Sequence, residues 1–197
     1  MLDKCSAYFP LSLSQQNIWN LECAFPGTSI NNISTTVRIR GHLDIPALQE
    51  SIQRILESDA SLRTRLSIVD GTVMQYYEPY VREEVPVFDF SSTSTAGFEN
   101  WEKAITRERM PLENAPLYRF AVFRDVEGSG GGVLVKLHHI ISDGWSQVAI
   151  CNKIAQIYLD LIAGKKVHMD PVPDYQLHVQ EEQAYLQSRA IRKDEQY

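Results

Sequence analysis

The residues with the greatest chemical capacity lie together between Val133 and Ser146. Here Val-Leu-Val-Lys-Leu-His-His-Ile-Ile-Ser-Asp-Gly-Trp-Ser runs from a β-rich segment into the start of a helix. Successive strand side chains point to opposite faces. Val133, Val135, Leu137 and His139 therefore fall on one face and Leu134, Lys136 and His138 on the other, so one histidine faces a site and the other faces packing. An imidazole at a strand end beside a tight turn suits proton transfer near neutral pH, either as a general base or as a group that holds an attacking amine or hydroxyl in line. Asp143 can cap the following helix or pair with a buried cation. Gly144 lets backbone or ligand come close, and N–H groups at the helix start favour developing negative charge. No metal is expected, because adjacent histidines on opposite faces chelate poorly and no third ligand stands nearby. A serine nucleophile is not expected either, since the chain has no Gly-x-Ser-x-Gly elbow. By residue type alone, packing and turn chemistry remain the plainer account of the pair.

The surrounding elements must hold this corner. Ser12 or Ser14 caps a helix through Gln15, Ile18, Trp19, Leu21 and Glu22, stopped by Pro26-Gly27. Residues 33–40 alternate as a strand. Asp44 caps a helix with Pro46 in its first turn and Ala47, Leu48, Ile52, Ile55 and Leu56 at helical spacing. Asp70-Gly71 joins two strands, 62–69 and 72–80, as a hairpin. A short strand at 85–90, a helix at 98–110 and a strand at 117–124 precede the glycine-rich turn at 127–132. The histidine strand follows at 132–141. A broadly apolar helix runs over 145–163 to Gly164, and Asp174 caps a last, sparsely apolar segment from Tyr175 to about Arg189; from Arg192 the chain turns wholly polar, a tail that would be poorly held.

The 197 residues are 44% hydrophobic and 22% charged, which supports a real core. A formal charge of -6 argues against nucleic-acid binding, and no stretch suggests a membrane. Cys5, Cys23 and Cys151 are scattered and odd in number, as in a reduced, cytoplasmic chain. Cys23 and Cys151 are expected to act as small core hydrophobes. Strands interleaved with helices imply an α/β (α+β) two-layer sandwich with a mixed, largely antiparallel sheet and flanking helices.

The run from His138 to Gly144 resembles the HHxxxDG signature of the condensation domains of nonribosomal peptide synthetases, a chloramphenicol acetyltransferase-like superfamily. Its companions occur in family order. Ser12, Gln15, Trp19 and Leu21 fit an SxAQxRxWxL-like pattern, with Ser14 for Ala and Asn17 for Arg. Leu62-Arg63-Thr64 fits an LRT-like pattern, and Pro173-Asp174-Tyr175 resembles a YxDFxxW-like segment with His178 for Trp.

The resemblance implies a chloramphenicol acetyltransferase-like lobe with His139 as the catalytic group. His138, Asp143 and Arg63 support it, Asp143 pairing with Arg63, while Gly144, Trp145 and Ser146 line a tunnel. It implies an acyltransferase that forms an amide from a donor acyl thioester and a carrier-bound aminoacyl acceptor, with no directly bound cofactor. Phosphopantetheine arms of peptidyl or acyl carrier protein domains, or acyl-CoA as donor, present the substrates. Residues 1–173 would be the N-terminal lobe. Residues 174–197 would be a helical crossing segment toward a C-terminal lobe of the same domain, without which the fragment is expected to be inactive. The initial methionine suggests a starter domain that places a fatty acyl group on the first amino acid. An elongation domain, an epimerisation lobe, a stand-alone CoA-dependent acyltransferase and a non-catalytic carrier-docking lobe are the alternatives. Arg189, Arg192 and Lys193 are the candidate basic patch for docking.

Overall fold

The computed structural model describes residues 8–126, 128 and 130–188. In chain order they form β1 (Phe9–Pro10), α1 (Leu13–Ala24), β2 (Asn32–Ile39), α2 (Ile45–Ser58), a 3-10 turn (Ala60–Arg63), β3 (Thr64–Val69) and β4 (Thr72–Tyr77). These are followed by β5 (Val87–Asp89), α3 (Thr95–Arg107), β6 (Tyr118–Arg124), β7 (Gly131–His138), α4 (Gly144–Ile162) and α5 (Tyr175–Leu186). The expected α/β sandwich with mixed, largely antiparallel strands is present. Its strands divide into two sheets, ordered β2-β7-β6-β5 and β1-β4-β3, and in the larger one only β5 and β6 run parallel.

Local sequence accounts for most boundaries. Ser12 caps α1 in a capping box with Gln15, Asp44 caps α2, and Asp174 caps α5. Asp70 and Gly71 take φ values of 49° and 79°, the left-handed pair that matches the twist of a two-residue hairpin. They fix Val69 opposite Thr72.

All of β7 is buried. Val133, Val135 and Leu137 pack with Leu48, Ile52 and Ile55 of α2 and with Ile154, Ile157 and Tyr158 of α4. The opposite face meets α3, where Leu134 packs with Ala121 and Ile105. Each such side chain contributes about 1.5–3 kcal/mol on burial. Lys136 shares that second face with Leu134. Its ammonium donates to the carbonyls of Ile105 and Glu108 at the end of α3, where unpaired carbonyls and the helix dipole favour a cation. Burial lowers its pKa, the Glu108 charge opposing.

One expectation changes. Cys151 is buried but Cys23 is exposed, because α1 buries the face of Gln15 and Glu22 instead. The last helix is held at several points, and the polar tail from Arg192 lies outside the described residues. Val179 is buried, the Leu13 N–H donates to Glu182 Oε2 (2.8 Å), and Ser12 and Tyr175 share a hydrogen bond (3.0 Å). The Tyr77 hydroxyl donates to Asp174 Oδ1 (2.9 Å) and accepts from the Gln176 N–H (3.1 Å). Burial first, then the Asp174 carboxylate, push the Tyr77 pKa up. Cys5, Arg189, Arg192 and Lys193 lie outside the described residues. Among the described residues no helix is long and apolar enough to cross a membrane, and no group of three His, Cys, Asp or Glu side chains could hold a metal ion.

Candidate active site

β7 ends at His138, the first of the pair, so His139 opens the turn that leads to α4. The turn is tightly held. The His139 N–H donates to the Asn31 carbonyl (2.7 Å), the Ile141 N–H donates to the His138 carbonyl (3.1 Å), and the Ser142 hydroxyl donates to the same carbonyl (3.3 Å). The pair splits as strand parity requires: His138 is 2% exposed, whereas His139 is exposed. His139 stands on the wall of a cleft of about 490 Å³. The cleft is shared with α1 through Gln15 and Ile18, with the 3-10 turn and β3 through Ser61 and Thr64, and with the α5 entry through Pro173 and Tyr175.

Beneath the turn, the His138 Nδ1 accepts the Ile140 N–H (3.2 Å) and its Nε2 lies 3.4 Å from Glu22 Oε1. Burial lowers the His138 pKa and Glu22 opposes the shift, so the ring is a neutral, packed imidazole. Gln15 Nε2 donates to the Ile140 carbonyl (3.0 Å).

A family model, the Condensation domain, matches residues 6–197. The chain belongs to the condensation-domain family. It is 28% identical over 192 residues to surfactin synthase subunit 1 of Bacillus subtilis (strain 168), covering 95% of this chain and 5% of that protein. It is 31% identical over 165 residues to cyclosporin synthetase simA of Tolypocladium inflatum, covering 82% of this chain and 1% of that protein. The starter condensation domain of rhizomide synthetase RzmA superposes with a TM-score of 0.88 at 21% identity, over 98% of this chain and 47% of that one. The likeness shows the chloramphenicol acetyltransferase-like fold. The chain spans a small fraction of the curated relatives and just under half of the solved domain.

Within this condensation-domain chain, the expected ion pair of Asp143 is not the contact formed. Asp143 does not pair with Arg63. It caps α4, its Oδ1 accepting the Ser146 N–H and hydroxyl (both 2.7 Å). The Ser146 N–H first, then its hydroxyl, lower the Asp143 pKa. Arg63 closes the 3-10 turn after α2, where terminal helix carbonyls lack partners. Its guanidinium donates to the carbonyls of Leu56, Glu57, Asp59 and Glu78. Asp59 caps that turn, and Arg63 at its end bonds back to the last carbonyls of α2. Of the expected tunnel residues, Ser146 lines the cleft but Gly144 and Trp145 do not. The first turn of α4 projects Trp145 outward, 85% exposed, and a Cβ at Gly144 would meet nothing within 4 Å.

Both caps have measurable consequences for stability. Arg63→Ala strips a charged donor from four carbonyls and is expected to cost about 2–3 kcal/mol, read as a lower urea midpoint with an unchanged slope. Asp143→Ala is expected to cost about 1 kcal/mol. A depressed carboxyl pKa contributes stability that is complete above the ordinary Asp value and is lost as pH falls through the depressed one. The gap between wild type and Asp143→Ala in thermal midpoint should therefore narrow as the pH falls below the ordinary Asp value, about 3.9.

Sequence reasoning missed Glu22, Asn31 and the carbonyl-binding role of Gln15. The available signal was a capped helix carrying polar residues seven apart, Gln15 and Glu22, which share one face.

Proposed function

We propose that this chain is the N-terminal lobe of a nonribosomal peptide synthetase condensation domain, with residues 174–197 leading toward a second lobe. The reaction is amide formation between a donor acyl thioester and the amine of a carrier-bound aminoacyl thioester. The observation that carries it is the division of the histidine pair. His139 is free-standing on an open cleft, and His138 is buried beneath it as support. The acceptor nitrogen attacks the thioester carbonyl carbon, the C–N bond forms, and the C–S bond breaks. His139 takes the proton lost by the amine, or holds the amine in line, and the proton ends on the departing thiolate. Ser14, Ser61, Thr64 and Ser146 border the same cleft; the hydroxyls of Ser61, Thr64 and Ser146 donate to Asp59, the Ser61 carbonyl and Asp143, and keep their oxygens as acceptors for an amine or amide N–H. Phosphopantetheine arms are substrate here, delivered by carrier domains.

A starter role with a fatty acyl donor is the finer reading. It draws on the likeness to the RzmA starter domain, whose variants have been solved with C8-CoA, alone and together with Leu-SNAC. The test incubates the full-length protein with octanoyl-CoA, or octanoyl carrier protein, and an aminoacyl thioester. N-octanoyl product from either donor is expected. Product only from a peptidyl donor refutes the starter reading, and no amide from any donor refutes the condensation reading.

A further inference from the structure

Gln15 and Glu22 are the buried residues of α1, and both are polar. They lie on the helix face that meets the histidine turn. Glu22 is 7% exposed. Among the described residues the ionisable side chain within ion-pair distance of it is His138, whose burial favours the neutral form. Burying a carboxylate against neutral donors is costly, and packing alone does not require it.

We propose that Glu22 is a positioning residue for His139, acting through His138 and Asn31 on the backbone at both sides of the reacting imidazole. This rests on the reading of His139 as the reacting group. Two routes converge on one carboxylate oxygen. Asn31 Nδ2 donates to Glu22 Oε1 (2.7 Å), and the carbonyl of the same Asn31 accepts the His139 N–H (2.7 Å). His138 Nε2 stands 3.4 Å from that oxygen, while its Nδ1 accepts the Ile140 N–H (3.2 Å). An Nδ1 that accepts places the ring proton on Nε2, directed at Glu22, so the carboxylate selects both tautomer and ring orientation. Gln15 completes the clamp from two turns earlier in the helix, its Nε2 on the Ile140 carbonyl (3.0 Å) and its Oε1 on the Ser12 N–H (3.0 Å). The peptide units before and after His139 are thus both tied to α1. A free-standing imidazole on an exposed turn has its direction set by that backbone, and an error near 1 Å costs about 10²-fold in rate.

The experiment compares Glu22→Leu, His139→Ala and the double variant in the full-length protein, with an acyl-CoA donor and an aminoacyl-N-acetylcysteamine acceptor. Glu22→Leu is expected to lower kcat at least tenfold and leave the acceptor KM within twofold. In the His139→Ala background the same change should cost nothing further, because groups that act as a unit are not additive. A Glu22→Leu protein with unchanged kcat, or with the same fractional loss in both backgrounds, overturns the proposal. If Glu22→Leu fails to fold, Glu22→Gln keeps the volume and one acceptor oxygen. Its expected loss is at least threefold, again absent without His139, and full activity there overturns the proposal equally. Full rate in His139→Ala overturns the reading of the site and the proposal with it. Loss in His139→Ala without loss at Glu22 overturns the proposal alone.

Discussion

His139→Ala in the full-length protein is expected to lower the rate of amide formation by about 10²–10⁴-fold, the range for removing a positioned general acid-base group. The site geometry says why the fold should survive the change. His139 is exposed, and what ties it into the turn is its backbone N–H, donated to the Asn31 carbonyl at 2.7 Å. Alanine keeps that bond. Its thermal midpoint should therefore stay close to wild type. The contrast is His138→Ala, which removes a buried ring together with the acceptor of the Ile140 N–H, and there both stability and rate should fall. A carrier-bound or N-acetylcysteamine acceptor, varied in concentration, separates the effects. On the proposed reading of His139 as the proton acceptor, His139→Ala should lower kcat with little change in KM, because a group that acts as the proton moves adds little to ground-state binding. Unchanged product formation in a folded His139→Ala protein would remove His139 from the mechanism.

The sequence revealed this site unevenly, and the reason is range. Interactions that close within a few residues were readable. The Ser12 and Asp174 caps, the Asp70-Gly71 turn and the opposite facing of His138 and His139 follow from residue type and spacing, and the structure contains each of them. Partners distant in the chain were not readable. Arg63 has the same sequence whether it meets Asp143 or the end of α2, and its place at the end of the 3-10 turn, beside the last carbonyls of α2, is visible only in the fold. The exposure of Cys23 has a related reason. A small apolar residue on a helix invites a core position, yet Cys23 is exposed and the buried residues of α1 are Gln15 and Glu22. That face is polar because it meets the backbone of a turn, and backbone carbonyls and N–H groups require partners when water is excluded. The division into two sheets was hidden as well. β1 is two residues long, too short to show a period, and its pairing is with β4, far along the chain, where Phe9 stands opposite Gln75.

Gly132→Ala carries the largest expected effect on stability, about 3 kcal/mol or more, in the range of overpacked cores. Gly132 lies in β7 opposite Arg38 of β2 and Phe123 of β6, so both sides of its backbone are occupied. A Cβ there would stand 1.9 Å from the Val37 carbonyl oxygen, 3.0 Å from its carbonyl carbon and 3.1 Å from the Arg38 Cα. All are backbone atoms of the neighbouring strand and cannot rotate aside, so β2 must move away from β7. Two glycine controls isolate the cause. Gly41 has φ +84° and open space around it, so Gly41→Ala should cost about 1–2 kcal/mol through backbone strain alone. Gly144 has neither strain nor a neighbour within 4 Å, and alanine in the first turn of α4 should be neutral or slightly stabilising. The order Gly132, Gly41, Gly144 in urea midpoints checks all three. The same strand gives Gly132→Ala a second readout. β2 begins one residue after Asn31, whose carbonyl holds the His139 N–H. Movement of β2 away from β7 should therefore lower kcat as well as stability, and an alanine variant that stays folded at low temperature should be slower than one at Gly41.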